Sequence, residues 1–365
     1  MSFTRRLFLV VMFAGLAAAC SGDSNAPMAT LAAPTSPGAI PMSCPPAMAQ
    51  QSVDALPVTM TWSPPTLAGV TVDRSSCAPT SGTAFPIGTS TVTCTSAEPT
   101  YASACSFDIN ITPPDPKLRF TRFLAFGDSI TAGFVSEGFS APGSDPLQIP
   151  AMLRAASSRG GASISRAVQP LNAYPAVLQN LLTPAYMTQQ FTVANEGRSG
   201  EKVAEGAARL RSTLLATQPE VMMLFEGFND IDLALFEAGP NNTSAIDVRS
   251  IASELRWMVN TAEGLGVEVL LATLTPTTAP REASDPGTRA SIEALNDEIR
   301  AMAPTLGRGG VIDLYSMLDG VPGIIGPDGF HPTSAGYRRI GEIFFSEIVN
   351  RHDVTPRAPS ATRAP

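Results

Sequence analysis

Phe120-Thr121-Arg122-Phe123-Leu124-Ala125-Phe126 runs directly into Gly127-Asp128-Ser129-Ile130-Thr131. An apolar run of strand length that stops at a glycine and a polar turn reads as a buried strand handing over to a helix. The same order recurs downstream. Apolar runs at 191–194, 221–225, 267–274 and 310–314 alternate with helical patterns at 203–216, 245–265 and 289–303. A last helix is predicted over 335–350. Strands that are apolar almost without interruption are buried on both faces, and alternation with helices makes their sheet parallel. Residues 120–350 are therefore expected to form one doubly wound α/β domain.

In open sheets of this kind ligands sit beyond the carboxyl ends of the strands. The polar motifs gather there: Gly127-Asp128-Ser129 after the first strand, Asn195-Glu196-Gly197 after the second, and Gly227-Phe228-Asn229-Asp230 after the third. Asp328-Gly329-Phe330-His331-Pro332 follows the fifth. The chain has only two histidines. His352 falls in a polar segment, 351–365, read as a disordered tail, which leaves His331 as the imidazole placed to act as a base. Asp328 lies one helical turn or one tight loop before it, within reach of its far nitrogen. A serine hydroxyl is a weak nucleophile until a base takes its proton. The expected set is Ser129 as nucleophile, His331 as base and Asp328 as the carboxylate that orients the imidazole. Asp128, beside the serine, is the alternative partner for that imidazole.

These blocks, in this order, resemble the SGNH hydrolases of the GDSL esterase/lipase superfamily, over 120–350. The fold expected is α/β, a doubly wound, flavodoxin-like parallel sheet of five strands. The resemblance implies hydrolysis of carboxylic esters through a Ser129 acyl-enzyme. It also implies an oxyanion hole made by the Ser129 backbone N–H, the Gly197 backbone N–H and the Asn229 side-chain amide. No cofactor is expected, and no metal, because no His/Asp/Glu cluster has ligand spacing. Gly307-Arg308-Gly309-Gly310 lacks the strand–loop–helix order of a phosphate loop. Acyl transfer to an acceptor other than water would use the same residues. A surface binding protein with a vestigial hydrolase fold is the reading from another class, and the intact set of five residues weighs against it. Lipid, acetylated glycan and small esters all stay open as substrates. A Gly/Pro/Ser-rich insertion, 134–172, follows the serine; at that length it reads as a substrate lid or a disordered bulge.

The N-terminal third differs in composition. Arg5 and Arg6 precede an uncharged apolar run too short to span a bilayer, so 1–19 reads as an export signal. Thr4-Arg5-Arg6-Leu7-Phe8-Leu9 resembles a twin-arginine signal. Leu16-Ala17-Ala18-Ala19-Cys20-Ser21 resembles a bacterial lipobox, with its leucine one place early. That resemblance implies lipidation of Cys20 and a membrane anchor at the cell envelope, periplasmic or surface. Residues 20–42 are rich in Ala, Pro, Ser and Thr and read as a tether.

Short alternating runs separated by turn residues fill 43–112, as in a small all-β sandwich. Of five cysteines, Cys44, Cys77, Cys94 and Cys105 remain after Cys20, all in this segment. In an exported chain they imply two disulfides, with three pairings possible. Ser43-Cys44-Pro45, Cys77-Ala78-Pro79, the run from Ser81 to Cys94 and Cys105-Ser106-Phe107 resemble the hyalin-repeat, immunoglobulin-like module. That resemblance implies Cys44–Cys105 and Cys77–Cys94 pairs and a spacer or adhesive role. Pro113-Pro114-Asp115-Pro116 makes 113–119 a stiff linker. A net charge of −8 argues against nucleic acid as a partner.

Overall fold

A computed structural model describes residues 42–67, 69–71, 75–96, 104–136, 168–238 and 246–357. The export signal, Cys20, residues 137–167 of the insertion and the tail beyond 357 lie outside the described residues.

From 42 to 112 the chain is β-rich. Its largest sheet has four strands in the order Met48–Gln51, Ala104–Thr112, Gly88–Ser96, Ser75–Ala78. The strand Ala104–Thr112 has the alternation of a sheet with one wet face: Phe107, Ile109 and Ile111 are buried and the residues between them exposed. Cys77 and Cys94 stand opposite each other in an antiparallel pair and are disulfide-bonded. Cys44 is bonded to Cys105. This is the pairing that the hyalin-repeat resemblance implies.

The second part is a five-stranded parallel sheet. Its strands are β1 (Arg122–Gly127), β2 (Thr192–Gly197), β3 (Val221–Phe225), β4 (Glu268–Ala272) and β5 (Gly310–Ile312), in the order β2-β1-β3-β4-β5. That is the flavodoxin-like doubly wound order, with the chain reversing direction across the sheet beside β1. All five residues of β3 and all five of β4 are buried, which is why their sequences carry no polar alternation.

The helices are α1 (Ser129–Ala132), α2 (Tyr174–Ala185), α3 (Val203–Thr217), α4 (Phe228–Ala238), α5 (Val248–Gly264), α6 (Ala279–Ser284), α7 (Thr288–Ala301), α8 (Leu314–Leu318) and α9 (Ser334–His352). Side-chain caps start several of them. Asp247 accepts from the Ser250 N–H at α5, and Thr333 from the Gly336 N–H at α9.

Two expectations fail here. The second strand does not stop at 194 but runs on to Gly197, paired with β1 residue for residue from Arg122–Thr192 to Gly127–Gly197. The C-terminal segment is not a tail from 351. Helix α9 continues through His352, Asp353 then bridges Leu118, and His352 is 3 % exposed. The His352 Nε2 lies 3.0 Å from Glu268 Oε1, and its ring meets Phe120 edge-on. Burial, with Arg119 and Arg351 nearby, pushes this imidazole down to about 4. Burial also pushes the Glu268 carboxyl up, against Arg308, Arg351 and Arg119. Nothing in the sequence near His352 signals this, because Glu268 comes from the far side of the domain's chain path.

Candidate active site

The exit from β1 is set by what cannot fit there. A Cβ on Gly127 would lie 1.9 Å from the Phe225 carbonyl oxygen and 2.5 Å from Thr131 Oγ1. Asp128 caps the short helix that follows, its Oδ1 accepting from the Ile130 N–H at 2.9 Å. Gly133, at φ 96°, closes the turn by donating to the Ser129 carbonyl at 3.0 Å. Ser129 is thereby held rigidly as the first residue of α1.

Ser129 Oγ lies 2.8 Å from His331 Nε2, and His331 Nδ1 lies 2.6 Å from Asp328 Oδ2. Asp328 Oδ1 also accepts from the backbone N–H groups of Phe330 (3.2 Å) and His331 (3.1 Å). Burial by itself would raise the Asp328 carboxyl. The His331 charge and these hydrogen bonds outweigh it and hold the group below the usual carboxylate range. A carboxylate at Asp328 can only accept, so His331 Nδ1 is the nitrogen that donates to it and Nε2 is the one turned to Ser129 Oγ. Residues far apart in sequence thus form one hydrogen-bonded line. It is also more enclosed than an open cleft: Ser129 is 6 % exposed, His331 4 % and Asp328 0 %.

The three expected oxyanion donors fare differently. Asn229 stands in the first turn of α4 and donates through Nδ2 to the Glu201 carbonyl at 2.9 Å. Gly197 does not offer its N–H, which donates to Asn195 Oδ1 at 3.0 Å. It is needed for packing instead: a Cβ there would sit 2.1 Å from the Ala132 nitrogen. The strand's extension to Gly197 moves the turn three residues on, to Ser199-Gly200-Glu201. Gly200 has φ 83° with open space where a Cβ would be, and among the described residues its N–H has no acceptor. The Ser-Gly dipeptide was the available turn signal.

That turn is anchored from below. Arg198 N–H donates to the Gly127 carbonyl at 2.9 Å. Buried Arg209 on α3 donates through Nε to Glu201 Oε1 (2.6 Å) and through Nη2 to the Glu196 carbonyl (2.7 Å), and stacks on Phe126 at 3.8 Å. Two further buried acids, Asp128 and Glu226, belong to this part of the domain. Burial pushes Asp128 up to about 7, against the Ile130 bond and the His331 charge. Burial, reinforced by Asp128, Glu201 and Asp230 and opposed by Arg209, pushes Glu226 up to about 10. Gly206 leaves the room Glu226 occupies, since a Cβ there would be 2.5 Å from its carboxyl.

The model of a family described as GDSL-like Lipase/Acylhydrolase family matches residues 125–339. No curated protein matches the chain. Among solved structures, a lipase/acylhydrolase from Enterococcus faecalis is similar at 23% identity and a TM-score of 0.47, over 66% of this chain and 100% of that one. An acetylxylan esterase from Geobacillus stearothermophilus is similar at 21% identity and a TM-score of 0.44, over 62% of this chain and 94% of that one. An alpha/beta hydrolase enzyme from the metagenome of Lake Arreo, Spain, is similar at 20% and 0.45, again over 62% and 94%.

Proposed function

Because the chain belongs to the GDSL-like lipase/acylhydrolase family and is an ester hydrolase, we propose that it cleaves carboxylic esters through an acyl-enzyme on Ser129. The observation that carries this reading is the unbroken line Ser129 Oγ–His331 Nε2–Asp328, at 2.8 and 2.6 Å. In the first half-reaction Ser129 Oγ attacks the ester carbonyl while its proton passes to Nε2. Asp328 then faces an imidazolium it stabilises. The imidazolium returns the proton to the departing alkoxide, and a water activated by the same Nε2 releases the acid.

The tetrahedral oxyanion needs donors where its charge develops. We assign these to the Ser129 N–H, the Asn229 amide and the Gly200 N–H, the last in place of Gly197. Asn229 Nδ2 has two hydrogens; one is used by the Glu201 carbonyl, which aims the amide, and the other is left for substrate.

The chain around this domain is read as delivery. Residues 1–19 would export it, a lipid on Cys20 would hold it at the cell envelope, 20–42 would tether it, and 43–112 would serve as a hyalin-repeat spacer. Cys20→Ala would then release the protein from membranes. The function itself is tested by turnover of p-nitrophenyl acetate, butyrate and longer esters: hydrolysis that disappears in Ser129→Ala supports the reading. The chain-length profile chooses among lipid, acetylated glycan and small esters.

A further inference from the structure

His331 is covered on its flat sides as well as held at its edges. The Phe134 ring centroid is 4.1 Å from that of the imidazole, with 40° between the planes. The Phe330 centroid is 4.2 Å away, at 34°. At such separations and tilts each ring lies over a face of the imidazole, since edge-on pairs stand farther apart. The two in-plane nitrogens are already taken by Ser129 and Asp328. No ring contact joins Phe134 to Phe330 among the described residues, which puts them on different sides of His331.

Both rings are fixed in their own right. The Phe134 N–H donates to the Ser129 carbonyl at 2.9 Å, and its carbonyl accepts from the Tyr337 hydroxyl at 2.6 Å. Its backbone bridges Val168, so the two described ends of the insertion meet beside the imidazole. Phe330 stacks on Phe228, the residue before Asn229, at 5.9 Å. The Arg281 guanidinium lies 5.3 Å from the Phe330 ring.

We propose that Phe134 and Phe330 are positioning residues: they clamp the His331 imidazole in the plane joining Ser129 to Asp328, and their faces favour its cationic form. The inference rests on the reading of His331 as the base. A cation within about 6 Å of an aromatic centroid is attracted by the ring's negative face. An uncharged imidazole gains little from this. The imidazolium formed when Ser129 gives up its proton gains fully, so the contact strengthens toward the transition state. The charge facing His331 is Asp328 on Nδ1, which favours the cation; Asp128, next to the serine, is pushed by burial up to about 7, so only its ionised fraction adds to this. Arg281, beyond Phe330, opposes it, but is paired with Asp232 and Asp285.

The test uses Phe134→Leu, Phe330→Leu and Phe134→Tyr in the full chain, with kcat/KM for p-nitrophenyl acetate followed against pH. Each leucine variant should lower kcat several-fold with KM little changed. Each should also move the acid limb to lower pH by about half a unit, because the imidazolium has lost a π face. Phe134→Tyr should restore both. An acid limb that stays in place, or moves upward, would overturn the proposal and leave the rings as packing alone. A second measurement needs no variant of either ring. With two histidines in the chain, His352→Gln leaves a single imidazole in the proton spectrum. Ring-current shifts should carry the His331 ring signals upfield, and unshifted signals would overturn the sandwich even if the leucine variants fail to fold. His331→Ala and Ser129→Ala separate the two readings. If they remain active the base assignment fails; if they are inactive while the leucine variants match wild type, only the clamp fails.

Discussion

The Asn229 side chain donates to the Glu201 carbonyl at 2.9 Å, which ties the first turn of α4 to the turn that carries Gly200. Two donors assigned to the oxyanion are thus set by one bond. Asn229→Ala should lower kcat by ~10²–10³ with a much smaller change in KM, because the amide meets full charge only in the transition state. An effect confined to KM would make Asn229 a substrate-positioning group.

The two glycines should separate cleanly. Gly197→Ala drives a Cβ into the Ala132 backbone, so it should lower the melting temperature as well as the rate. Gly200→Ala meets open space but strains a φ of 83°, so it should displace the turn and lower kcat with a smaller stability loss. Steady-state kinetics and thermal unfolding on both variants check this; a rate loss confined to Gly197→Ala would return the donor role to Gly197.

Much of this architecture was legible in the chain, for physical reasons. Val221-Met222-Met223-Leu224-Phe225 carries no polar residue because a central parallel strand touches helices on both faces. The serine–histidine–aspartate line could be anticipated because so few imidazoles were available. The position of the turn after β2 could not, because Asn195-Glu196-Gly197 looks like a turn in sequence, yet pairs with β1 to its end. The setting of His352 is not legible locally, because it packs against Glu268 and Phe120, distant residues that no local pattern announces. Phe134 and Phe330 gave no signal, since an aromatic beside a motif is indistinguishable from core until the rings are placed.

His352→Gln should leave kcat nearly unchanged and lower thermal stability, whereas His331→Gln should abolish turnover. The sign of the pH effect follows from burial. An exposed histidine in the unfolded chain takes up a proton near pH ~6.5, while native His352 resists until about 4. Wild-type stability should therefore fall as pH drops through that window, and His352→Gln should fall less. Equal acid slopes in melting experiments would contradict a neutral buried imidazole.

Glu226 should act in the opposite pH range. The unfolded carboxyl releases its proton near pH ~4.3, while the native one keeps it up to about 10. The native state binds the extra proton, so this group makes stability fall as pH rises between those values. Glu226→Gln keeps the shape and removes the linkage. Its melting temperature relative to wild type should rise from pH 5 to pH 9; a constant offset would mean that Glu226 is ionised in the native protein.

Reduction of Cys44–Cys105 and Cys77–Cys94 should destabilise the β-rich region by about 2–4 kcal/mol per bridge. No cysteine follows Cys105, so esterase activity should survive dithiothreitol. Loss of turnover together with the β-sheet signal would show that catalysis depends on that region.

The central claim is that Ser129, activated by His331, is the nucleophile. Its most direct test is intact-mass and peptide mapping after reaction with a fluorophosphonate, which bonds covalently to an activated serine oxygen. The account predicts a single adduct on the peptide containing Ser129, formed slowly or not at all in His331→Ala and absent in Ser129→Ala. An adduct on another residue, or one that persists in Ser129→Ala, would contradict it.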